Sequence, residues 1–332
     1  MSPEVRSGAP GISDLHGGLL AVHAHPDDET LSTGALLAAF ALADRPVTVV
    51  TATRGERGEV IGDRLAHLEG DGPALAAHRE TELGSALASL GVTDHAFLDR
   101  LPGAAPGEAK VVQRYEDSGM VWTGAARAGL GAHVPALAFV GAPLDAAAER
   151  LAGLLRRRRP AVVATYDPEG GYGHPDHVRV HEVTMRAVQL AAQDGWAPVV
   201  LWRRAGEAAV AAAASGLTGH GPWPAELTLP DPDGEVAPLV VPDEAIDLVV
   251  DVAPLRRHVL GALRAHATQV QAVTPVDGDR RLLAAYALSN RLLQAVLPEE
   301  GYQVVAGDPT ALDWPTAVRL RPRRAAQQPP VA

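Results

Sequence analysis

Short apolar runs alternate along the first two thirds of the chain with longer segments in which apolar residues recur at helical spacing. The apolar runs predict buried strands, and the longer segments predict helices. In chain order the predicted elements are strand Leu19–Ala24, helix Ser32–Ala43, strand Val47–Thr53, helix Ala74–Leu90, strand Ala96–Leu98, helix Leu144–Arg157, strand Ala161–Tyr166, helix Asp176–Gln193 and strand Val199–Arg203. This alternation predicts an α/β fold: a Rossmann-like, doubly wound, mainly parallel sheet with helices on both faces.

The last third of the chain has a different pattern. Its predicted elements are an alanine-rich helix at 208–214, strand Asp247–Val252, helices Pro254–Ala267 and Arg280–Leu297, and a strand near Tyr302–Val305. We therefore expect one α/β domain over 18–205 and a smaller C-terminal α+β lobe over 206–319. A flexible arm over 1–17 and a disordered tail over 320–332 are expected to flank them.

Composition narrows the class of protein. The 332 residues are 47% hydrophobic and 21% charged, which is typical of a globular chain. The net charge of −11 argues against nucleic acid or an anionic membrane as a partner. No apolar stretch reaches the roughly 18–20 residues of a membrane span, and no signal-like region begins the chain. We expect a soluble cytoplasmic protein; the oligomeric state stays open.

The chain has no cysteine. That excludes disulfides, a cysteine nucleophile and any thiolate zinc site. A catalytic metal in this protein must therefore be held by histidines and carboxylates.

Two short polar segments follow predicted strands far apart in the sequence. They are His25–Glu29, with the sequence His-Pro-Asp-Asp-Glu, and Gly171–His177, with the sequence Gly-Tyr-Gly-His-Pro-Asp-His. Side chains at the carboxyl ends of strands in an open α/β sheet face a common crevice. The two segments can therefore converge, and together they supply enough imidazoles and carboxylates for a metal and a neighbouring base.

Three protein ligands and a water are usual at a catalytic zinc, and we assign His25, Asp28 and His177 as the ligands. Asp27 then remains as a general base. His174 remains as a cationic donor to an oxyanion or as an acid to a leaving amine.

Each of these residues also has a structural interpretation. Asp27 or Asp28 is a natural N-cap for the helix that follows. Asp176 either orients His174 or pairs with a helix N-terminus. His23 and His181 have spacings compatible with metal binding, but we expect them to pack or to support ligands.

These motifs resemble those of the zinc-dependent N-acetylglucosaminyl deacetylases, the LmbE-like/PIG-L family. The similarity is greatest to the branch that deacetylates the glucosaminyl-inositol intermediate of mycothiol biosynthesis. It covers roughly residues 19–305. The segments that carry it are Ala24–Glu29, His174–His177, Gly55–Arg64, Tyr166–Gly173, Asp117–Met120 and Ala287–Asn290.

The resemblance implies one Zn²⁺ per subunit, with Fe²⁺ as an alternative in vivo, and a small-molecule N-acetylglucosaminyl-inositol substrate. It gives the same metal ligands and the same base, and it places His174 and Tyr172 at the carbonyl oxygen, with Asp176 among the catalytic residues. The substrate contacts it implies are Arg79, Asp117, Met120 and Asn290. The implied reaction is hydrolysis of the acetamide to acetate and glucosaminyl-inositol.

Other activities stay open at this point. The nearest are a mycothiol S-conjugate amidase and another N-acetyl sugar deacetylase of the same family. A non-catalytic sugar-binding module would be expected to lack a ligand or the base. A dinucleotide-binding dehydrogenase and a serine hydrolase lack support, because no Gly-x-Gly-x-x-Gly follows the first strand and no Gly-x-Ser-x-Gly is present.

Overall fold

A computed structural model describes residues 17–103, 114–124, 126–192, 195–231 and 234–322 of the chain. The flexible arm predicted for 1–17 and the disordered tail predicted for 320–332 therefore fall almost entirely outside the described residues. None of the described helices combines the length and the apolar character needed to cross a membrane.

The described residues form a large central sheet, two small sheets and helices. The strands are β1 Leu19–His23, β2 Val47–Thr51, β3 Asp94–Phe97, β4 Val121–Trp122, β5 Ala128–Gly129, β6 Val162–Thr165, β7 Val199–Gly206, β8 Val240–Val241, β9 Leu248–Asp251, β10 Gln271–Pro275, β11 Ala284–Ala287, β12 Leu293–Val296, β13 Glu299–Ala306 and β14 Val318–Leu320. The helices are α1 Asp28–Leu42, α2 Gly72–Leu90, α3 Leu144–Arg158, α4 Gly170–Gly173, α5 Pro175–Ala191, α6 Glu207–Gly219 and α7 Arg256–Ala265.

The central sheet has the strand order β14-β9-β13-β7-β6-β1-β2-β3, and β8 pairs with β7. The five strands from β7 to β3 pair in parallel. Strands β13, β9 and β14 extend the sheet by antiparallel pairing. The mixed α/β fold with a mostly parallel central sheet is confirmed.

Both faces of the sheet are buried, which explains the near-continuous apolar runs in its strands. In β1, Leu19 and Ala21 face a core shared with α1, α2 and α7. Leu20 and Val22 face the opposite core, shared with α3 and α5. Alternate side chains of one strand therefore belong to different cores.

The predicted helix over Arg280–Leu297 is wrong. The segment forms the antiparallel strands β11 and β12, with Ala284 paired to Val296. Its alanines and leucines favour a helix locally. In the folded chain, however, the apolar side chains of Ala285 and Leu293 are buried in a separate core against Leu217 of α6. Tertiary packing overrides the helical propensity here.

The central sheet continues beyond residue 205, because β9, β13 and β14 belong to it. The part of the C-terminal segment that lies apart from the sheet is the antiparallel set β10-β11-β12 with α6 against it. Helix α6 confirms the helix predicted over the alanine-rich run.

The parallel pairing of β1 with β6 brings the two polar segments together. Leu19 pairs with Val162 and Ala21 with Ala164, so the two strands run side by side and end at the same edge. Beyond that edge the Tyr166 hydroxyl accepts a hydrogen bond of 3.0 Å from the Ala24 N–H. The predicted convergence of the two segments is thus built into the strand register.

The entry of β1 is tightly packed, and this packing is testable. A Cβ atom on Gly18 would overlap the carbonyl oxygen of Pro46. We expect Gly18→Ala to lower the free energy of unfolding by about 1–3 kcal/mol, since neighbouring backbone must shift.

The matched control is Gly84→Ala in α2, where an added Cβ meets nothing within 4 Å. That substitution should raise stability by about 0.5–1 kcal/mol, because alanine favours a helix interior over glycine. Thermal and chemical unfolding of both variants measure the difference. Equal effects of the two substitutions would contradict the packing argument.

Candidate metal centre and active site

The first polar segment lies in the turn between β1 and α1. Helix α1 begins at Asp28, and Asp27 occupies the N-cap position with φ 119° and ψ −32°. The Asp27 side chain caps nothing in the helix. The capping interpretation therefore does not explain Asp27, which instead adopts a left-handed backbone conformation that is costly for any residue with a Cβ.

The second segment turns sharply before α5. Gly170, Gly171 and Gly173 all have positive φ. A Cβ on Gly170 would lie 2.7 Å from the Val178 nitrogen, so only glycine allows this close approach. The turn brings His174 to the N-cap of α5, where its Nδ1 accepts a 3.1 Å hydrogen bond from the Asp176 N–H.

In its neutral form, His177 directs an unprotonated ring nitrogen at Asp28. Its Nδ1 lies 3.1 Å from the Gly170 carbonyl oxygen, which can only accept, so Nδ1 carries the hydrogen. In the neutral ring Nε2 then bears a lone pair. This buried Nε2 has no hydrogen-bond partner among the described residues, and it lies 3.3 Å from Asp28 Oδ1.

His25 faces the other oxygen of the same carboxylate. Its Nε2 lies 3.2 Å from Asp176 Oδ2, and its Nδ1 lies 3.3 Å from Asp28 Oδ2. With the Nε2 hydrogen donated to Asp176, Nδ1 also directs a lone pair at Asp28. A lone pair that faces a carboxylate oxygen is repelled unless a positive charge lies between them.

The residues therefore fit a divalent cation. His25 Nδ1, Asp28 and His177 Nε2 are donors of the kind that catalytic zinc sites use, and they are buried. Donor atoms of His25, His174 and His177 also lie within 4.8 Å of one another, as do those of His25, Asp117, His174 and Asp176.

His174 differs from the other two histidines in the nitrogen it has free. Its Nδ1 accepts the Asp176 N–H, so Nε2 of the neutral ring carries the hydrogen and is a donor rather than a ligand. Burial, His25 and His177 lower the pKa of His174 well below its ordinary value. The neutral form of His174, with Nε2–H as a donor, is therefore favoured here over the cation expected from the sequence.

The carboxylate of Asp176 orients His25, not His174. Besides His25 Nε2, it accepts hydrogen bonds from the Ser118 N–H at 2.9 Å and the Ser118 hydroxyl at 2.5 Å. The hydrogen bond between Asp176 and His174 comes from the Asp176 backbone N–H, not from its carboxylate. A carboxylate that accepts a hydrogen bond from one ring nitrogen of a histidine fixes its tautomer and ring orientation, and so leaves the other nitrogen free to bind a metal.

The carboxylates around His25 favour a positive charge between that ring and Asp28, whether the charge is a proton or a metal ion. Burial alone would lower the pKa of His25, but Asp117, Asp176 and Asp28 raise it well above its ordinary value. Burial alone would raise the pKa of Asp28, but His177 and His25 hold it well below its usual range. Burial raises the pKa of Asp27 to about 6, against the effect of Arg79.

Two tyrosines line the histidines. The Tyr172 ring lies edge-on to His177, with 5.0 Å between ring centroids, and 5.9 Å from the exposed Trp122. Burial and the charge of Asp28 raise the pKa of Tyr172 well above its ordinary value, so its hydroxyl stays a donor. The Tyr166 ring stacks on His177 at 4.2 Å. The sequence analysis missed Tyr166, although it ends a predicted strand.

The four predicted substrate contacts have different surroundings. Arg79 is buried; it donates to the carbonyl oxygens of Gly55 and Pro26 and lies 3.2 Å from Asp27 Oδ1. Asp117 lies 3.8 Å from His25 Nε2, and the half-buried Met120 follows it just before β4. Asn290 lies in the exposed turn between β11 and β12, where its Oδ1 accepts from the Leu292 N–H, away from hydrogen-bond contact with the described cluster.

The histidines expected to pack do so. His23 Nε2 lies 3.0 Å from the Thr33 hydroxyl, and His181 Nδ1 lies 2.9 Å from the Tyr166 carbonyl oxygen. A buried pair was missed: Glu29 Oε1 lies 2.7 Å from His266 Nε2. Glu29 belongs to the first polar segment, but the sequence analysis assigned it no role. No motif contains His266.

Comparison with known proteins identifies the family of the chain. The pattern of the family described as GlcNAc-PI de-N-acetylase (PIG-L) matches residues 20–188. A protein of Kineococcus radiotolerans named 1D-myo-inositol 2-acetamido-2-deoxy-alpha-D-glucopyranoside deacetylase is 43% identical over 304 residues, which cover 87% of this chain and 77% of that protein. A protein of the same name from Nocardia farcinica is 42% identical, over 89% of this chain and 92% of that protein.

Among solved structures, an N,N'-diacetylchitobiose deacetylase from Pyrococcus horikoshii is similar, with a TM-score of 0.45 and 19% identity over 76% of this chain and 70% of that chain. The family match and the two relatives confirm the resemblance seen in the sequence. The chain belongs to the GlcNAc-PI de-N-acetylase (PIG-L) family.

Proposed function

We propose that this protein is a metal-dependent N-deacetylase. Its substrate is 1D-myo-inositol 2-acetamido-2-deoxy-α-D-glucopyranoside, from which it releases acetate and glucosaminyl-inositol for mycothiol biosynthesis. The observation that carries the proposal is the buried Asp28 carboxylate, which faces one imidazole lone pair on each oxygen beside a strained, acidic neighbour. The names of the relatives support the choice of substrate.

The proposed metal is one Zn²⁺ per subunit, held by His25 Nδ1, Asp28 and His177 Nε2. A single anionic ligand leaves such a centre with positive charge, and Fe²⁺ suits the same donors. When bound, the metal supplies polarisation of the amide carbonyl and lowers the pKa of water.

Asp27 is the proposed general base. One of its oxygens, Oδ1, pairs with Arg79 at 3.2 Å, which leaves Oδ2 to accept a proton from the attacking water. The side chain is 14% exposed, so water can reach it while most of the group stays enclosed. A strained backbone at such a residue is expected where position matters more than stability.

His174 is the proposed donor to the developing oxyanion. The fixed Nε2–H needs no reorganisation when negative charge appears on the amide oxygen, and preorganised donors of this kind give large rate effects. Tyr172, whose ring lies edge-on to His174 and His177, supplies a second donor, its hydroxyl group. The leaving amine receives the proton that Asp27 has taken from the attacking water, because a neutral His174 would become an imidazolate if it gave up its Nε2 hydrogen.

The substrate surface is proposed to begin at Asp117 and Met120, which lead from His25 towards the hairpin β4–β5. A polyol is recognised through donors and acceptors rather than apolar walls, and Asp117 suits that role. Arg79 and Asn290 are the other proposed substrate contacts, and Arg79 also supports Asp27 through its contacts with Pro26 and Asp27.

The strand order supports a Rossmann-like assignment for the central sheet. The parallel strands β3-β2-β1-β6-β7 follow the order 3-2-1-4-5 when counted among themselves. The proposed site lies beyond the carboxyl ends of β1 and β6, where the order reverses. Segment 206–319 contributes to the site through His266.

The proposed ligands predict metal content. His177→Ala and Asp28→Ala should each lose most bound zinc, because a three-ligand site with one donor removed binds far more weakly. Elemental analysis after dialysis measures the content. The control is His220→Ala, which removes a histidine that pairs with Asp279 elsewhere and should retain zinc at the level of the unmodified protein. Full zinc content in both ligand variants would refute the assignment.

The base assignment predicts that two substitutions of Asp27 lose turnover to the same extent but differ in stability. Asp27→Ala and Asp27→Gly should both keep the metal and lose about 10²–10⁴-fold in turnover. Asp27→Gly should nevertheless be the more stable variant, by about 1–3 kcal/mol, because only alanine keeps a Cβ at φ 119°. Acetate release and thermal unfolding test the two halves; wild-type turnover in either variant would exclude Asp27 as the base.

The substrate assignment is tested by comparing two amides. We expect acetate release from the N-acetylglucosaminyl-inositol to exceed amide cleavage of a mycothiol S-conjugate in kcat/KM. Both reactions expose a primary amine, so one amine-detecting assay follows them with the same protein preparation. A higher kcat/KM on the conjugate would assign the amidase activity instead. Acetate release only from other N-acetyl sugars would assign the protein as a deacetylase of a different sugar.

A further inference from the structure

One peptide bond in the active site is held at both of its ends. The peptide that joins Pro26 to Asp27 has its carbonyl oxygen bonded to Arg79 Nη2. Its N–H group, which belongs to Asp27, donates a 2.9 Å hydrogen bond to Glu29 Oε2. The buried Arg79 guanidinium thus binds one end of the peptide, and the buried Glu29 carboxylate binds the other.

The anion is itself fixed from a distant part of the chain. The other oxygen of Glu29, Oε1, lies 2.7 Å from His266 Nε2 and accepts a 2.5 Å hydrogen bond from the Thr30 hydroxyl. Glu29 and His266 are both fully buried, and 237 positions separate them in the sequence. A carboxylate with charge-assisted partners on both oxygens has little freedom to rotate.

The segment that carries His266 is anchored to α2. The N–H and hydroxyl groups of Thr268 donate to the two oxygens of Glu82, at 2.8 and 2.6 Å. Arg79 lies three residues before Glu82 on the same face of α2. Helix α2 therefore supports both hydrogen bonds to the peptide. It supports one directly through Arg79 and the other indirectly through the segment that carries His266.

This arrangement acts on the torsion that is strained. The φ angle of Asp27 describes rotation about its N–Cα bond, which sets the side chain relative to the preceding peptide plane. At φ 119° that torsion is unfavourable for aspartate, so the backbone would relax if the plane were free. Because α1 holds the other side of Asp27, fixing this plane fixes the direction of its Cα–Cβ bond, and the ion pair with Arg79 then orients the carboxylate.

We propose that Glu29 and His266 are positioning residues that hold Asp27 in its reactive orientation through its own peptide bond. The inference rests on the proposed function, in which Asp27 is the base. Neither side chain touches the substrate; both act through the Pro26–Asp27 peptide.

The primary test replaces His266. His266→Leu keeps most of the buried volume but removes the donor to Glu29, and we expect kcat to fall about 10–100-fold with KM and zinc content unchanged. His266→Gln retains an N–H donor and should recover much of the loss. Should His266→Leu fail to fold, Glu29→Gln makes the same test, because an amide offers one acceptor oxygen where the carboxylate offers two.

A double-mutant cycle separates positioning from a general structural role. In an Asp27→Ala background there is no carboxylate left to orient, so His266→Leu should cause little further loss of kcat. The control is Glu300→Gln, another buried carboxylate bonded to α1 but at Ala35 and Leu36. It should lower the melting temperature and leave kcat unchanged.

The outcomes distinguish the two proposals. Wild-type turnover by Asp27→Ala would overturn the proposed base and with it this inference. If Asp27→Ala is inactive while His266→Leu keeps full kcat, only the inference fails. It also fails if the His266→Leu and Asp27→Ala losses multiply in the double variant, since additive free energies indicate independent effects.

Discussion

The Asp28 carboxylate is the electrostatic constraint around which the site is organised. Each of its oxygens lies 3.3 Å from an imidazole nitrogen whose partner nitrogen already donates a hydrogen. Such a geometry is unfavourable in a buried environment unless a cation is shared among the three groups. The hydrogen bonds from His177 to Gly170 and from His25 to Asp176 therefore do more than orient rings, because they determine which nitrogens are left for a metal.

Support for Asp27, the proposed base, is arranged in successive layers around the proposed metal ligands. Asp27 is held by its own peptide bond, that peptide by Arg79 and Glu29, and Glu29 by His266. The outermost layer is α2, whose Glu82 anchors the segment that carries His266. Each layer is buried, so the strain at Asp27 is balanced by charged hydrogen bonds that water does not weaken. The N-terminal and C-terminal parts of the chain are thereby coupled at Asp27.

The sequence was sufficient to predict the parallel strands, their helices and the convergence of the two polar segments, because these follow from local periodicity and from strand ends. It could not show that Asp176 serves His25, since that contact depends on the rotation of α5 against β1. His266 was invisible because its partner lies 237 positions away. The hairpin at 284–296 was missed because alanine and leucine favour a helix until tertiary contacts bury them.

The separation of the two polar segments has a consequence for how the protein is made. His25 and Asp28 leave the ribosome long before α5, and 151 positions separate His25 from Asp176, which orients it. A nascent or truncated chain that ends before α5 holds only two of the three proposed donors, too few for a catalytic zinc site. Assembly of the proposed metal site is therefore a late event in the synthesis of the chain, tied to the docking of α5 beside β1.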